Sequence, residues 1–212
     1  PSATGVAVSG DGERVLVTRF ISPLDHGEVT EVSASRLQVV RRFELAENPG
    51  PDTEATSRVV PNYLRSVLVT PDGRGAWVLS KQDNVGRGVA RDGMPLTFET
   101  TTRTVLSVLD LEQNQERADA RVDINNRSLG LAGALTPVGD YLFVALLGTN
   151  GVDVLDTFDG NSVGGRRELG SAPDGVALGA NGRLYVHAFL SRSVLVLDAS
   201  GVLSSTDFSL PL

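Results

Sequence analysis

The sequence segment that decides the fold is residues 174–198, which read DGVALGANGRLYVHAFLSRSVLVLD. A short apolar run at residues 176–178 leads into a Gly-Ala-Asn-Gly turn, where glycine accepts a positive φ at little cost. Residues 184–190 and 194–197 are rich in β-forming side chains, and a polar tripeptide separates them. The segment therefore predicts three antiparallel strands joined by two tight turns, with Asp198 ending the third strand.

This arrangement occurs four times along the chain, each time around a turn glycine. The turn glycines are Gly12, Gly73, Gly139 and Gly182. The last two are 43 residues apart, which agrees with the period of roughly 40–45 residues in propeller blades. The earlier spacings are longer because residues 46–62 read as a long loop and residues 81–104 as an insertion. No helical period is sustained, so the repeats predict an all-β fold, a β-propeller of four-stranded antiparallel blades.

The predicted blades are residues 4–45, 65–124, 131–169 and 174–210, within one propeller domain spanning residues 1–212. Their outer strands are predicted at residues 37–45, 118–124, 166–169 and 206–210. Because closed propellers have about four to eight blades, we expect these four to belong to a larger ring or to one completed by another chain. A closed four-blade ring is the alternative. An open arc exposes the apolar faces of its end blades, which predicts self-association.

The composition excludes several classes of function. The 212 residues carry a formal net charge of −7 without a stripe of Lys or Arg, which argues against nucleic-acid binding. The absence of cysteine excludes disulfides, cysteine nucleophiles, Cys-ligated zinc and covalently attached c-type haem within these residues. No apolar run approaches the roughly 20 residues of a membrane span. The chain begins with Pro1 and shows no signal peptide, so we expect any signal segment to lie outside it.

Four strands resemble the YVTN family of β-propeller repeats, in which a Tyr-Val-Thr-Asn-like strand precedes a Val-Ser-Val-Ile-Asp-like strand. The matching positions are residues 15–18, 76–79, 142–145 and 184–187. None of them carries the complete Tyr-Val-Thr-Asn motif, so the resemblance is to a divergent member. It covers most of the chain and implies a propeller-type repeat protein, without implying a particular function.

A narrower resemblance is to large bacterial secreted proteins that join such a propeller to a di-haem domain of the cytochrome c peroxidase type. The resembling segments are residues 17–23, 80–84, 96–103 and 185–193. This resemblance implies a bacterial exported protein located in the periplasm, outside the cell or on the bacterial surface. It also implies a c-type haem in an adjoining domain, with no cofactor in this chain. The expected partner is that domain or another protein.

The insertion at residues 81–104 is the first candidate binding site, because loops on a rigid β scaffold often bind partners. Its candidate residues are Lys81, Asp83, Asn84, Arg87, Arg91, Glu99 and Arg103. The alternative is an ordered loop whose arginines pair with its own acids, since structural ion-pair networks resemble sites. A second candidate site, at the mouth of a propeller channel, combines His187, Arg192 and Arg19 around a polar or anionic ligand. The alternative for His187 is a hydrogen-bonded structural histidine.

No catalytic or metal-binding motif is present in the sequence. The chain lacks a Gly-x-Ser-x-Gly elbow, its two histidines cannot form a three-His metal site, and Gly86-Arg-Gly88 lacks the Lys-Ser/Thr of a phosphate loop. We therefore expect no catalytic residue and no metal site, and predict a non-catalytic interaction or scaffold module that docks a partner protein or a neighbouring haem domain. The alternatives are an enzyme or small-ligand-binding propeller with its site at the channel mouth, and a structural cell-surface repeat protein.

Overall fold

The structure of the protein is a computed structural model that describes residues 2–51, 58–83, 102–124, 129–169 and 172–212. Four antiparallel sheets make up nearly all of the regular structure in these ranges. By its internal contacts the chain divides into two compact units, Pro1–Ser128 and Leu129–Leu212, with two sheets in each. The predicted all-β fold of four tandem antiparallel sheets is confirmed.

The first unit contains a four-stranded sheet and a six-stranded sheet. The strands of the first sheet, in spatial order, are β1 (Ala3–Val8), β2 (Arg14–Arg19), β3 (His26–Ser33) and β4 (Gln38–Ala46). Those of the second sheet are β5 (Asn48–Pro49), β6 (Arg58–Val69), β7 (Gly75–Asp83), β8 (Thr102–Asp110), β9 (Gln115–Glu116) and β10 (Val122–Ile124). The spatial order of the second sheet is β10-β8-β7-β6-β5, and β9 pairs with β8. A short 3-10 helix, Ala118–Ala120, lies between β9 and β10.

The second unit contains a four-stranded sheet and a three-stranded sheet. The third sheet of the chain consists of β11 (Gly130–Leu135), β12 (Tyr141–Leu146), β13 (Gly151–Asp156) and β14 (Ser162–Arg166), in that order. The last sheet consists of β15 (Pro173–Leu178), β16 (Arg183–Ala188) and β17 (Ser193–Asp198). A single helical turn, α1 (Ser200–Leu203), follows β17.

Each unit has its own core, in which two sheets pack face to face. In the first unit, the core cluster joins residues of the first sheet such as Leu16 and Phe43 to residues of the second such as Leu64 and Leu109. In the second unit, Phe143 and its neighbours pack with residues of β16 and β17. Because successive strand residues point to opposite faces, one face of each sheet supplies these side chains and leaves the other face for different contacts.

The far faces of the first and last sheets carry exposed valines. On the first sheet, Val6 pairs with Val17, and Val8 pairs with Val15, which in turn pairs with Val32; the exposed fractions of Val6 and Val8 are 62% and 56%. We call this set the first valine face. On the last sheet, the same alternation places Ala177, Tyr185, His187, Val194 and Val196 on one side. This set is the last valine face, where Val194 is 56% exposed.

The turns between the first two strands of the first and second sheets share one hydrogen-bond pattern. Ser9 Oγ donates to Asp11 Oδ1, and that oxygen also accepts from the amide of Glu13. In the second sheet, Thr70 Oγ1 donates to Asp72 Oδ1, which accepts from the amide of Arg74 at 3.0 Å. The four turn glycines predicted from the sequence all have φ between 71° and 80°. These bonds hold the turns closed and lower the pKa of Asp11 and Asp72.

Replacement of Asp72 by Ala is expected to lower the free energy of unfolding by about 1 kcal/mol near neutral pH. Hydrogen bonds from Thr70 and from the Arg74 amide hold the pKa of Asp72 below its usual value. A carboxyl with a lowered folded-state pKa stabilises the fold above its ordinary pKa of about 3.9, and this stabilisation is lost as the pH falls through the folded-state pKa. Urea unfolding should therefore show the difference near neutral pH and a smaller one below about pH 4.

Asp119→Ala is the matched control for the turn variant. The side chain of Asp119 is 80% exposed, and its ion pair with Arg117 is 3.9 Å long, so its loss should change stability little. Equal losses of stability in the two variants would contradict the role assigned to the turn carboxylate.

Two secondary-structure predictions in the first unit, one of a loop and one of a strand, were wrong. Residues 46–62, predicted as a long loop, contain β5 and the start of β6. The prolines of this segment had indicated a loop. Pro49, however, lies on the edge strand β5, and edge strands tolerate proline. Residues 118–124, predicted as one outer strand, divide into the 3-10 helix and the three-residue strand β10.

The outer strands of the second unit also differ from the prediction. The third sheet ends with Ser162–Arg166 rather than with residues 166–169. Residues 206–210 do not form a fourth strand of the last sheet. Instead, the Gly165 amide donates to Phe208 O at 2.8 Å, and the Asp198 amide donates to Pro211 O at 2.7 Å. A Cβ at Gly164 would lie 2.5 Å from Phe208, so this approach of the C-terminal segment requires glycine in β14.

Candidate functional site

The insertion predicted at residues 81–104 is shorter in the structure, because β7 extends to Asp83 and β8 begins at Thr102. Lys81 pairs with Thr104, Gln82 with Arg103 and Asp83 with Thr102. Lys81 and Arg103, predicted in a loop, are therefore strand residues, and their side chains point to opposite faces of the second sheet. The predicted site residues Asn84, Arg87, Arg91 and Glu99 lie outside the described residues.

On one face, Lys81 belongs to a group of aromatic and basic side chains that includes Phe20, Tyr63 and Arg65. Lys81 Nζ lies 4.3 Å from the centroid of the Tyr63 ring. The Tyr63 ring meets Phe20 edge to face at a centroid distance of 4.8 Å. The Arg65 guanidinium lies 5.1 Å from the centroid of Phe20. Both cation–ring distances are within the range of attractive cation–π contacts, and we call these four residues the aromatic–cation cluster.

The backbone around Tyr63 holds the cluster in place. Tyr63 has φ 49°, and the pairing of β6 with β7 shifts register between Asn62 and Ser66, which marks a β-bulge. Asn62 Oδ1 accepts hydrogen bonds from the amides of Ser22 and Tyr63, each at 2.9 Å. Ser22 Oγ donates to Pro61 O at 2.7 Å. The loop after β2 is thereby fastened to the bulge, which brings Phe20 against Tyr63.

The loop that carries Phe20 also carries two exposed aliphatic side chains. Leu24 is 85% exposed and Ile21 is 47% exposed, and both lie in the loop between β2 and β3. Arg65 is also exposed. Phe, Tyr and Arg side chains are enriched in protein-binding surfaces.

On the opposite face, Arg103 is buried and ion-paired. Its Nε lies 2.5 Å from Asp123 Oδ2. Burial raises the pKa of Asp123, while the hydrogen bond and the charge of Arg103 act to lower it. Nearby, Arg121 donates to Glu116 Oε1 and to Ala46 O. These two ion pairs border a cavity that Gln82 also lines.

The three residues predicted at a channel mouth are divided between the two units: Arg19 lies in the first unit, and His187 and Arg192 lie in the second. In the first unit, Arg19 Nε donates to Ile21 O at 2.9 Å, and its Nη1 lies 3.7 Å from Glu28. In the second unit, His187 Nδ1 lies 2.6 Å from Asp174 Oδ1 and the ring belongs to the last valine face. Arg192 is an exposed turn residue with φ 53°.

Two other kinds of site concern metal ions and membranes. Within the described ranges, no three His, Asp or Glu side chains group closely enough to hold a metal ion. None of the helices in these ranges has the length and apolar character of a membrane span.

Sequence reasoning missed the main members of this region. Tyr63 and Arg65 lie on β6, whereas Phe20 lies in the loop after β2, more than forty residues earlier in the chain. Tyr63 also directly follows the segment interpreted as loop. One signal could have found them. The chain contains only three tyrosines and seven phenylalanines, so each partly exposed ring is a candidate contact residue.

The sequence itself matches no protein-family model and no curated protein. Solved structures, by contrast, share its fold. Hydrazine synthase of Kuenenia stuttgartiensis matches with a TM-score of 0.72 and 17% sequence identity, over 91% of this chain and 57% of that chain. A functionally unknown protein from Desulfotomaculum acetoxidans matches with a TM-score of 0.65 and 14% identity, over 99% of this chain and 55% of that chain.

A third matching structure is itself described as a propeller. The Dos1 propeller matches with a TM-score of 0.57 and 11% identity, over 92% of this chain and 41% of that chain. This chain therefore spans between two fifths and three fifths of the chains it resembles. At these identities the likeness concerns the fold alone, and with the four tandem sheets it identifies a β-propeller fold.

Proposed function

We propose that the chain is a non-catalytic interaction module that binds a protein partner through the aromatic–cation cluster. The observation that carries this proposal is the conformation of Tyr63, held with positive φ on a bulge while its ring contacts Lys81 and Phe20. Strained backbone of this kind is concentrated at functional sites. Tyr and Arg are also the residues most enriched among binding hot spots.

The chemistry of the surface indicates the chemistry of the partner. Arg65 and Lys81 are cationic, and the loop that carries Phe20 presents the exposed aliphatic side chains of Ile21 and Leu24. A matching partner surface carries carboxylates next to apolar side chains, and its binding weakens as salt is added. From the sequence resemblance alone, we infer that this partner is an adjoining haem domain or a second exported protein, in the bacterial periplasm or outside the cell.

Photo-crosslinking tests this proposal because it captures a partner whose identity is open. A photoreactive amino acid at position 65 is expected to give one discrete adduct in the producing cell. The same residue at position 158 is the control, because Phe158 is 97% exposed and lies in a turn of the second unit. Identical adduct patterns at positions 65 and 158 would overturn the proposal.

Replacement of Tyr63 by Ala is expected to weaken binding to the captured partner by about 10- to 100-fold, because truncating a hot-spot aromatic costs about 2 kcal/mol or more. The measurement is a binding isotherm with the purified partner. Phe158→Ala removes an exposed ring elsewhere and should leave the isotherm unchanged. If the two variants bind alike, the cluster is not the interface.

A second candidate function is self-association, and the two valine faces favour it. Neighbouring sheets within each unit already pack through faces of alternating Leu, Val and Phe. The first and last valine faces also carry valines, but these remain exposed, and on the last face they lie beside Tyr185 and His187. We propose that the first valine face of one copy packs on the last valine face of another, which repeats between chains the sheet packing found within each unit.

A further inference from the structure

The first unit contains a cavity of about 300 Å³ lined by β5, the end of β7 and the region of the 3-10 helix and β10. Its polar lining includes Gln82, Asp123, Arg121 and Asn48, and its apolar lining includes Pro49 and Ala118. This volume lies at the lower end of the range of small-molecule sites. The cavity is separate from the aromatic–cation cluster, because Lys81 and Gln82 are consecutive residues on opposite faces of β7.

Gln82 is the residue that this cavity leaves unsatisfied. Its exposed fraction is 0%, and neither Nε2 nor Oε1 has a hydrogen-bond partner among the described residues. A buried amide normally uses both atoms, because each unmade hydrogen bond costs the desolvation of that atom. An occupant that accepts a hydrogen bond from Nε2 and donates one to Oε1 satisfies both atoms of this side chain.

The carboxyl of Asp123, which lines the same cavity, also has an unmet hydrogen-bonding requirement. Its Oδ2 is bound to Arg103, but its Oδ1 is buried without a hydrogen-bond partner in the part of the chain that the structure describes. This oxygen accepts hydrogen bonds when the carboxyl is ionised, so the occupant donates to it. Arg121 is already paired with Glu116. The two guanidinium groups are thus balanced by carboxylates, and the cavity does not favour an anion.

We propose that this cavity binds a small neutral polyol of monosaccharide size. A hydroxyl group both donates and accepts, so two neighbouring hydroxyls satisfy the two atoms of the Gln82 amide and a third donates to Asp123 Oδ1. The C–H face of such a molecule packs against Pro49 and Ala118. Binding at this site does not depend on the partner-binding role of the aromatic–cation cluster.

Titration of the full chain with pentoses, hexoses and glycerol, followed by NMR of the backbone amides, tests the proposal. We expect saturable shifts confined to the amides of Asn48, Gln82 and Ala118 and their neighbours for at least one of these sugars. Saturation and localisation are the criteria, because polyols stabilise any folded protein by exclusion from its surface. Shifts that grow linearly, or that spread over both units, would overturn the proposal and indicate that ordered water satisfies Gln82.

Gln82→Met separates a ligand site from a merely hydrated cavity. The variant removes both of these amide atoms while keeping the length of the side chain, so the fold is expected to be as stable as before or more stable. The affinity for the sugar should fall about tenfold or more, since two hydrogen bonds are lost. Gln113→Met makes the same chemical change at an exposed turn position and should bind like the parent. Unchanged affinity in Gln82→Met would overturn the proposal.

Discussion

Val6→Asp and Val194→Asp, each introduced alone, are expected to convert a self-associating protein into a monomer of 22.4 kDa. Val6 lies on the first valine face and Val194 on the last, and both are more than half exposed in a single chain. Placing a carboxylate in an apolar contact forfeits the burial of valine and leaves the charge poorly solvated. Together these effects cost about 3–5 kcal/mol, which raises the dissociation constant at least about 100-fold.

Light scattering over a range of concentrations measures this result directly. The unsubstituted protein should show a mass that rises with concentration, and each variant should stay at the mass of one chain. Val138→Asp is the control, because Val138 is 78% exposed in a turn outside both faces, and this variant should assemble like the parent. A parent protein that remains monomeric at every concentration would refute the self-association.

Mixing the two single variants distinguishes the two symmetries that a dimer contact can have. If the first face of one copy packs on the last face of another, Val6→Asp retains its last face and Val194→Asp retains its first face. An equimolar mixture should then form a dimer and stop, because no complementary pair of faces is left. If each face packs on its own kind, Val194→Asp alone should still dimerise through its first valine face.

Salt separates self-association from partner binding. The chain has a formal net charge of −7, so two copies repel each other, and added salt should strengthen their association. Binding of an acidic partner at Arg65 and Lys81 should respond in the opposite direction. The sign of the salt effect therefore identifies which surface an observed complex uses.

The repeated strands and turns were predictable from the sequence because their signals are local. The β-rich segments at residues 15–18, 142–145 and 184–187 lie within β2, β12 and β16, and the glycine turns have the positive φ that the sequence suggested. Outer strands were less predictable, since they are short and exposed and carry little alternation. β14, for example, contains Gly164 and Gly165, which the sequence suggests as loop residues. The approach of Phe208 explains Gly164, and a φ of 134° beside the Val152 carbonyl explains Gly165.

The candidate site was predictable only in part, for the same physical reason. The sequence located a functional region near Lys81, but the contacts of that residue come from Tyr63 on β6 and from the loop after β2. Long-range contacts of this kind depend on the register of the strands. The bulge at Tyr63 sets that register, and a bulge with a bulky residue at positive φ has no simple sequence signature.

Arg103→Ala is expected to destabilise the first unit by about 3–5 kcal/mol near neutral pH. Arg103 is 2% exposed, and its Nε lies 2.5 Å from Asp123 Oδ2. Removing the guanidinium leaves the Asp123 carboxylate in a poorly solvated place without this counter-charge, and breaking one partner of a buried pair is costly. This effect differs from that of an exposed binding residue, whose loss changes affinity and leaves unfolding almost unaltered.

The pH dependence of the loss identifies Asp123 as its origin. Burial already raises the pKa of this carboxyl, and the charge of Arg103 lowers it, so removing Arg103 raises the pKa further. A carboxyl with a raised folded-state pKa lowers stability progressively as the pH rises from its ordinary pKa of about 3.9 to the raised value, and the cost is absent at lower pH. The difference between the variant and the parent in urea unfolding should therefore shrink as the solution is acidified.

Asp123→Asn in the Arg103→Ala background provides the decisive comparison. The amide has almost the shape of the carboxyl but carries no charge, so the double variant should recover part of the lost stability and lose its dependence on acid pH. A loss in Arg103→Ala that is independent of pH would assign the effect to lost packing of the arginine stem instead. The sequence suggested Arg103 as a binding residue because it lies in the insertion. A large loss of stability in Arg103→Ala assigns it a role in the fold, whereas an unaltered free energy of unfolding leaves it the predicted binding role.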